Sequence, residues 1–276
     1  MSNIAAMPAG AGKYAKSFTI GLKAALEYRM NFVFSVAAAV APVVIQTALW
    51  IVLYGNDPGS SLFGFTFVQM VAYTVIAQLV SRLVRTGFEY DVNYDIRTGS
   101  LDRYLVKPVS YFGFRLFSFL GDKAVQTAAI GLLLAGAVVV MVNRLGFAIT
   151  PSAAALFLGG MVMAFILNFL IFWCVGLVGF WLTEIGFLFE AVRIVIIAAS
   201  GGILPLAVFG PTGERILKLL PFRFTIQFPT ELLCGRIPTP EIATSFALAV
   251  LWSAVLWAAG QILWARGIRR FAAVGS

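Results

Sequence analysis

Apolar stretches with few or no charges recur along the chain at 32–54, 62–81, 124–142, within 153–182, at about 185–209 and at 242–265. A bilayer's hydrocarbon core takes about 20 apolar residues in helix, so the pattern predicts six membrane-spanning helices. The stretch within 153–182 is longer than one crossing requires, and the one at 185–209 contains Glu190 and Arg193.

The residues before 32 include Lys13, Lys16, Lys23, Glu27 and Arg29 and have no long apolar core, so they do not read as a signal peptide. At helical spacing, Lys16, Lys23 and Glu27 share one face, while Tyr14, Phe18, Leu22 and Ala25 share the other. That predicts an amphipathic helix at 13–30 lying along the membrane surface. A solvated, frayed leader is the alternative. Orientation follows from lysine and arginine placement. Fourteen of the 20 fall in the N-terminal segment, around the loop at 84–123 and in the C-terminal tail; five fall on the opposite side, and Arg193 lies in or near a span. Both termini are therefore expected in the cytoplasm. The loop at 55–61, which has no basic residue, is expected outside.

Two segments between spans have a pattern of their own. Within 84–123, Phe88, Val92 and Ile96 recur every four residues beside Glu89, Asp91, Asp95 and Arg97, predicting a short amphipathic helix that Gly99 ends. Its apolar ridge is suited to docking on a partner protein, or it is a solvated loop. Lys107-Pro108 breaks the chain again, and Tyr111, Phe114, Arg115 and Phe117 begin a second amphipathic stretch. The segment 210–241 is too apolar for a free loop and too interrupted, by Pro221, Pro229 and Pro238, for a span. It is expected to form short helices that dip into the outer leaflet, pack on the spans and cap a cavity.

Composition removes other classes. With 61% hydrophobic and 12% charged residues, the chain has about half the charge of a soluble domain. A soluble enzyme and a disordered chain are both excluded. The sequence has no histidine, so a histidine triad or imidazole metal site is impossible, and two cysteines, Cys174 and Cys234, imply no disulfide framework. The net charge of +8 follows the membrane topology, so no nucleic-acid partner is expected. No phosphate-binding Walker loop is present: at Gly12-Lys13 the next residue is Tyr14, and Met7 stands where the first glycine belongs. No Gly-x-Ser-x-Gly elbow occurs. The acids Glu89, Asp91, Asp95 and Asp102 read as a charged helix face before they read as a cation site. The chain is not expected to be an enzyme or to hold a metal or cofactor.

Charges inside spans call for a functional reading. Glu190 and Arg193 are three apart and can pair on one helical face. Alternatively, Glu190 faces a translocation path and attracts a cation. Gln46, Gln69, Gln78, Asn168 and Gln261 either line a pathway or bind neighbouring helices. Gln46, Gln69, Asn168 and Glu190 are the pathway candidates.

The stretch Asp95-Ile-Arg-Thr-Gly-Ser-Leu-Asp-Arg-Tyr-Leu-Val-Lys-Pro108 resembles the I-R-x-G-x-L-x-x-x-L-x-x-P signature of one bacterial branch of ABC-2 exporter permeases. Leu220-Pro-Phe-Arg-Phe and Phe228-Pro-Thr-Glu-Leu-Leu-Cys-Gly235 resemble that branch's external L-P-F … P … G segment. The resemblance covers nearly the whole chain. It implies an all-α polytopic fold of one transmembrane domain over residues 1–276, in a bacterial inner membrane. It also implies a separate ABC ATPase dimer that binds ATP and Mg, and a second permease, often a different one, pairing as a heterodimer. The helix with Phe88, Glu89, Asp91, Val92, Asp95, Ile96 and Arg97 would be the coupling helix. Pro221, Phe222, Phe224, Phe228 and Pro229 would belong to a re-entrant external gate. The cargo expected is hydrophobic or amphipathic, such as a cationic drug-like compound, a lipid or a glycan. An ATP-independent transporter or channel is the alternative; it calls for buried titratable relays and inverted repeats, of which only Glu190 and Arg193 are candidates.

Overall fold

A computed structural model describes residues 11–27, 29–55, 61–106, 109–145, 149–182 and 185–274. The chain runs α1 (Ala11–Glu27), α2 (Arg29–Tyr54), a hairpin of β1 (Ser61–Leu62) and β2 (Phe65–Thr66), α3 (Phe67–Val84), α4 (Phe88–Arg97) and α5 (Asp102–Leu105). It continues through α6 (Tyr111–Leu145), α7 (Pro151–Leu177), α8 (Gly186–Ala199), α9 (Gly210–Leu219), α10 (Gln227–Leu233) and α11 (Thr239–Val274). The expected features at residues 56–60 and Lys107-Pro108 lie outside the described residues.

Among the described residues, four helical stretches are long and apolar enough to cross a membrane: Phe67–Arg97, Tyr111–Asn143, Pro151–Phe180 and Thr239–Phe271. α2 runs over 26 residues, Arg29–Tyr54, and contains the apolar stretch expected at 32–54. The expected fifth span is not one helix. α8 has 14 residues, about 21 Å at 1.5 Å per residue, and is followed by bends and a short 3-10 turn at Leu206–Phe209. The second span also begins later than expected, because the hairpin occupies its first residues. Phe63 and Gly64 form the tight turn with φ of 55° and 76°, the left-handed backbone that glycine adopts without cost. Thr66 then starts α3 through a capping box with Gln69, each side chain bonding the other's backbone N–H.

α7 is apolar on every side, which suits a helix enclosed by others. It meets α3, α4, α10 and α11. Its Phe169, Trp173 and Leu177 are buried with Phe88 and Val92 of α4, and its Leu167 with Phe224, Phe228 and Leu232. α1 lies along α6, at a crossing that only glycine permits. A Cβ on Gly21 would come within 1.9 Å of the Ser118 carbonyl oxygen, and one on Gly121 within 2.0 Å of the Phe18 carbonyl oxygen. Tyr14 stacks on Phe117 at 4.9 Å farther along. Gly21→Val or Gly121→Val is therefore expected to lift α1 off α6. Limited proteolysis at Lys16 and Lys23 in the purified protein should speed up severalfold, whereas unchanged cleavage would contradict this packing.

Candidate functional site

α4 forms as the sequence predicts, over Phe88–Arg97, and stops at Gly99, whose φ is 72°. Its apolar ridge does not face a partner. Phe88 stacks on Phe169 at 4.4 Å and meets Phe119 edge-on at 5.6 Å, and Val92 lies against Gly176. Amphipathic spacing dictates that one face is sheltered; here α6 and α7 of the same chain shelter it. The exposed side presents Tyr90, Tyr94 and Arg97 instead. Together with Gly186 and Phe187 at the start of α8 they line an open groove of about 710 Å³.

Charged side chains fasten α4 to two other helices. On the α6 side, Arg115 bonds Asp91 at 3.0 Å and also bonds Asp95. The Tyr111 hydroxyl donates to the same Asp95 oxygen at 2.7 Å and accepts from Arg115 Nε at 3.0 Å. On the α8 side, Arg193 Nη2 donates to Glu89 at 2.5 Å, with Glu89 fully buried. Tyr90 donates its hydroxyl proton to Glu190 at 2.6 Å. The expected Glu190–Arg193 pair exists, but at 3.9 Å it is the looser of Arg193's two contacts. Buried charges persist only when paired, so these contacts hold α4 in one place relative to α6 and α8.

At the other end of α8 the helix breaks at Ser200, Gly201 and Gly202, and side chains from elsewhere take up the freed carbonyls. Tyr73 donates to the Gly201 oxygen at 2.7 Å, and Gln78 to the Gly202 oxygen at 3.0 Å. The backbone N–H of Gln227 donates to the Ser200 oxygen at 2.9 Å. Gly201 has φ of 76°, and a Cβ there would meet Gln227 Oε1 at 2.4 Å. An interrupted helix is tolerated at membrane depth when its backbone groups are satisfied in this way. Gln227 bonds Glu231 at 2.5 Å, and Arg223 bonds Glu231 at 3.2 Å, all three buried.

The expected gate residues alternate with these polar residues along the same segment. Pro221, Phe224, Phe228 and Pro229 are buried and Phe222 is half-buried. The segment packs against α3, α7 and α11. Phe228 meets Phe224 at 5.4 Å and Phe246 of α11 at 5.0 Å.

Two of the four pathway candidates share a cavity. Asn168 and Glu190 line one cavity of about 340 Å³ between α2, α3, α7 and α8. Asn168 also caps α3, donating to the Val84 carbonyl. Gln69 is taken up by the Thr66 cap and by Arg236 at 3.3 Å. Gln46 is half-buried on α2, away from that cavity. Sequence reasoning missed Tyr73, Arg223, Gln227 and Glu231. The signal was present: Arg223, Gln227 and Glu231 recur every four residues in an otherwise apolar segment. Among the described residues, no group of His, Cys, Asp or Glu is arranged to hold a metal ion.

A family model described as ABC-2 family transporter protein matches residues 40–275. The chain belongs to the ABC-2 transporter family. No curated protein and no solved structure shows a significant match to it. As an ABC-2 protein it is a multi-pass membrane permease, and permeases of this family generally work with an ATPase subunit.

Proposed function

We propose that the chain is the permease subunit of an ATP-driven exporter, moving a hydrophobic or amphipathic solute with power from a separate ATPase dimer. It pairs with a second permease chain and crosses an inner membrane six times, α2 and the broken α8 segment supplying the other two crossings. Both termini lie in the cytoplasm. ATP and Mg stay on the ATPase. α4 is the element the ATPase grips, and the residues that meet it are Tyr90, Tyr94 and Arg97, with Asp91 at the edge. Phe88, Glu89, Val92, Asp95 and Ile96 pass the push on to α6, α7 and α8. The segment with Phe224 and Phe228 closes the outer end of the path as a re-entrant gate.

The observation that carries this reading is the double fastening of α4, to α6 through Arg115 and to α8 through Arg193. Closure of the ATPase would shift α4, and its ionic contacts would move α6 and α8 as near-rigid bodies. In an affinity purification from native membranes, the tagged chain should bring down an ATP-binding subunit. Tyr94→Ala with Arg97→Ala alters exposed side chains only, so the chain should stay folded while about nine-tenths or more of the ATPase is lost, as expected of interface anchors. Full retention of the ATPase would place the docking surface elsewhere.

A further inference from the structure

The 340 Å³ cavity between α2, α3, α7 and α8 is at the small end of pockets that take small molecules. Its wall has two unlike halves. One bears Arg82, Arg85 and Arg193, against the single carboxylate of Glu190. Arg82 and Arg85 sit near enough for their charges to repel. Arg193 is nine-tenths buried; its Nη2 is used by Glu89, but its Nε donates no hydrogen bond within the protein. Glu190 is engaged by the Tyr90 hydroxyl and faces both Arg85 and Arg193. Guanidiniums outnumber carboxylates along this wall, with Arg193 also paired to Glu89, so a cation gains less here than Glu190 suggested on its own.

The other half is apolar. Ile197 and Ile203 line it, and Ile203 is exposed on the outer surface of the bundle. A small soluble anion would use the guanidiniums and leave that wall idle. A neutral oil would use the wall and leave the buried Arg193 Nε without an acceptor. Guanidinium forks fit phosphate and carboxylate oxygens two at a time, and an apolar chain fits the isoleucine wall.

We infer that this cavity binds an anionic amphiphile, a phosphate or carboxylate head on an apolar tail, with the head at Arg82, Arg85 and Arg193 and the tail along Ile197 and Ile203. The assignment deepens the permease reading by naming the chemical class of its ligand. Binding itself needs no ATP, so it is measurable apart from that reading.

The test uses the full-length chain in detergent with the subunits that stay bound to it, titrated by native mass spectrometry with phosphatidylglycerol and with phosphatidylcholine of the same chains. Phosphatidylglycerol should fill one saturable site about tenfold more tightly. Arg82→Gln with Arg85→Gln should abolish that preference, whereas Arg269→Gln with Arg270→Gln, which removes the same charge from an exposed part of α11, should keep it. Ile197→Trp, which retains every charge, should weaken phosphatidylglycerol binding by filling the tail half; it also serves if the arginine variant does not fold. Equal affinity for the two lipids, or equal loss in both arginine variants, overturns the site. Displacement of phosphatidylglycerol by inorganic phosphate at similar concentration overturns the requirement for a tail. Fluorescent phosphatidylglycerol in vesicles bearing the whole complex then separates two sources of the same chemistry. ATP-dependent movement between leaflets marks a cargo and binding without movement marks a resident lipid, and both uphold the site. Failure to find an ATPase in the complex would sink the exporter reading and leave this binding result standing.

Discussion

Arg193→Leu should destabilise the protein by ~3–5 kcal/mol, the usual cost of leaving one member of a buried ion pair without its partner. Glu89 is fully buried and receives its charged hydrogen bond from Arg193. With leucine at 193, its carboxylate must either stay charged without compensation or take up a proton. Glu89→Gln is expected to be milder, because the amide oxygen still accepts from Arg193. The double variant Glu89→Gln with Arg193→Leu should recover part of the lost stability, since no unpaired charge then remains. It should not recover coupling, because α4 would keep only the Tyr90–Glu190 bond to α8. Thermal unfolding of the purified complex separates these cases. If Arg193→Leu alone melted like the wild-type protein, the buried pair would have no part in holding α4.

Arg115→Leu is the second large change, expected to cost ~2–4 kcal/mol, somewhat less than a fully buried pair because one partner is half solvated. Arg115 ties Asp95, which is buried, and Asp91, whose side chain is 64% exposed. The Tyr111 hydroxyl remains to donate to Asp95, which limits the loss. Arg115→Lys keeps the charge but not the fork that reaches two carboxylates and a hydroxyl at once, so it should lie between the two. In the ATPase-bound complex, both variants should still hydrolyse ATP while transport falls, because the stroke would reach α4 and stop there. Parallel loss of hydrolysis and transport would show instead that Arg115 serves folding alone.

The parts of this fold that were legible came from local pattern. Phe88, Val92 and Ile96 at four-residue spacing, followed by Gly99, gave α4 its extent and its end. The same spacing could not say what covers the ridge, because a sheltered face looks alike whether α7 or a partner shelters it. Long-range pairs were hidden for a related reason. Glu89 and Arg193 are 104 positions apart, and nothing local to either marks the other. The apolar stretch at 185–209 read as one unbroken helix because summed hydropathy ignores backbone. Gly201-Gly202 and Pro205 were there to mark a break, and the carbonyls they free are the ones Tyr73 and Gln78 satisfy. Gln69 looked like a pathway residue by polarity alone, although Thr66 three positions earlier makes it half of a capping box.

The central claim is that an ATPase grips this permease at the outward face of α4. A photo-activatable benzoylphenylalanine placed at single exposed positions in native membranes tests it. Tyr94 and Phe187 border the α4 groove, and Phe63 and Ile216 are exposed on the hairpin and on α9. The account predicts that light joins the ATP-binding subunit to positions 94 and 187 and to neither of the other two. Capture at 63 or 216 with silence at 94 would contradict it.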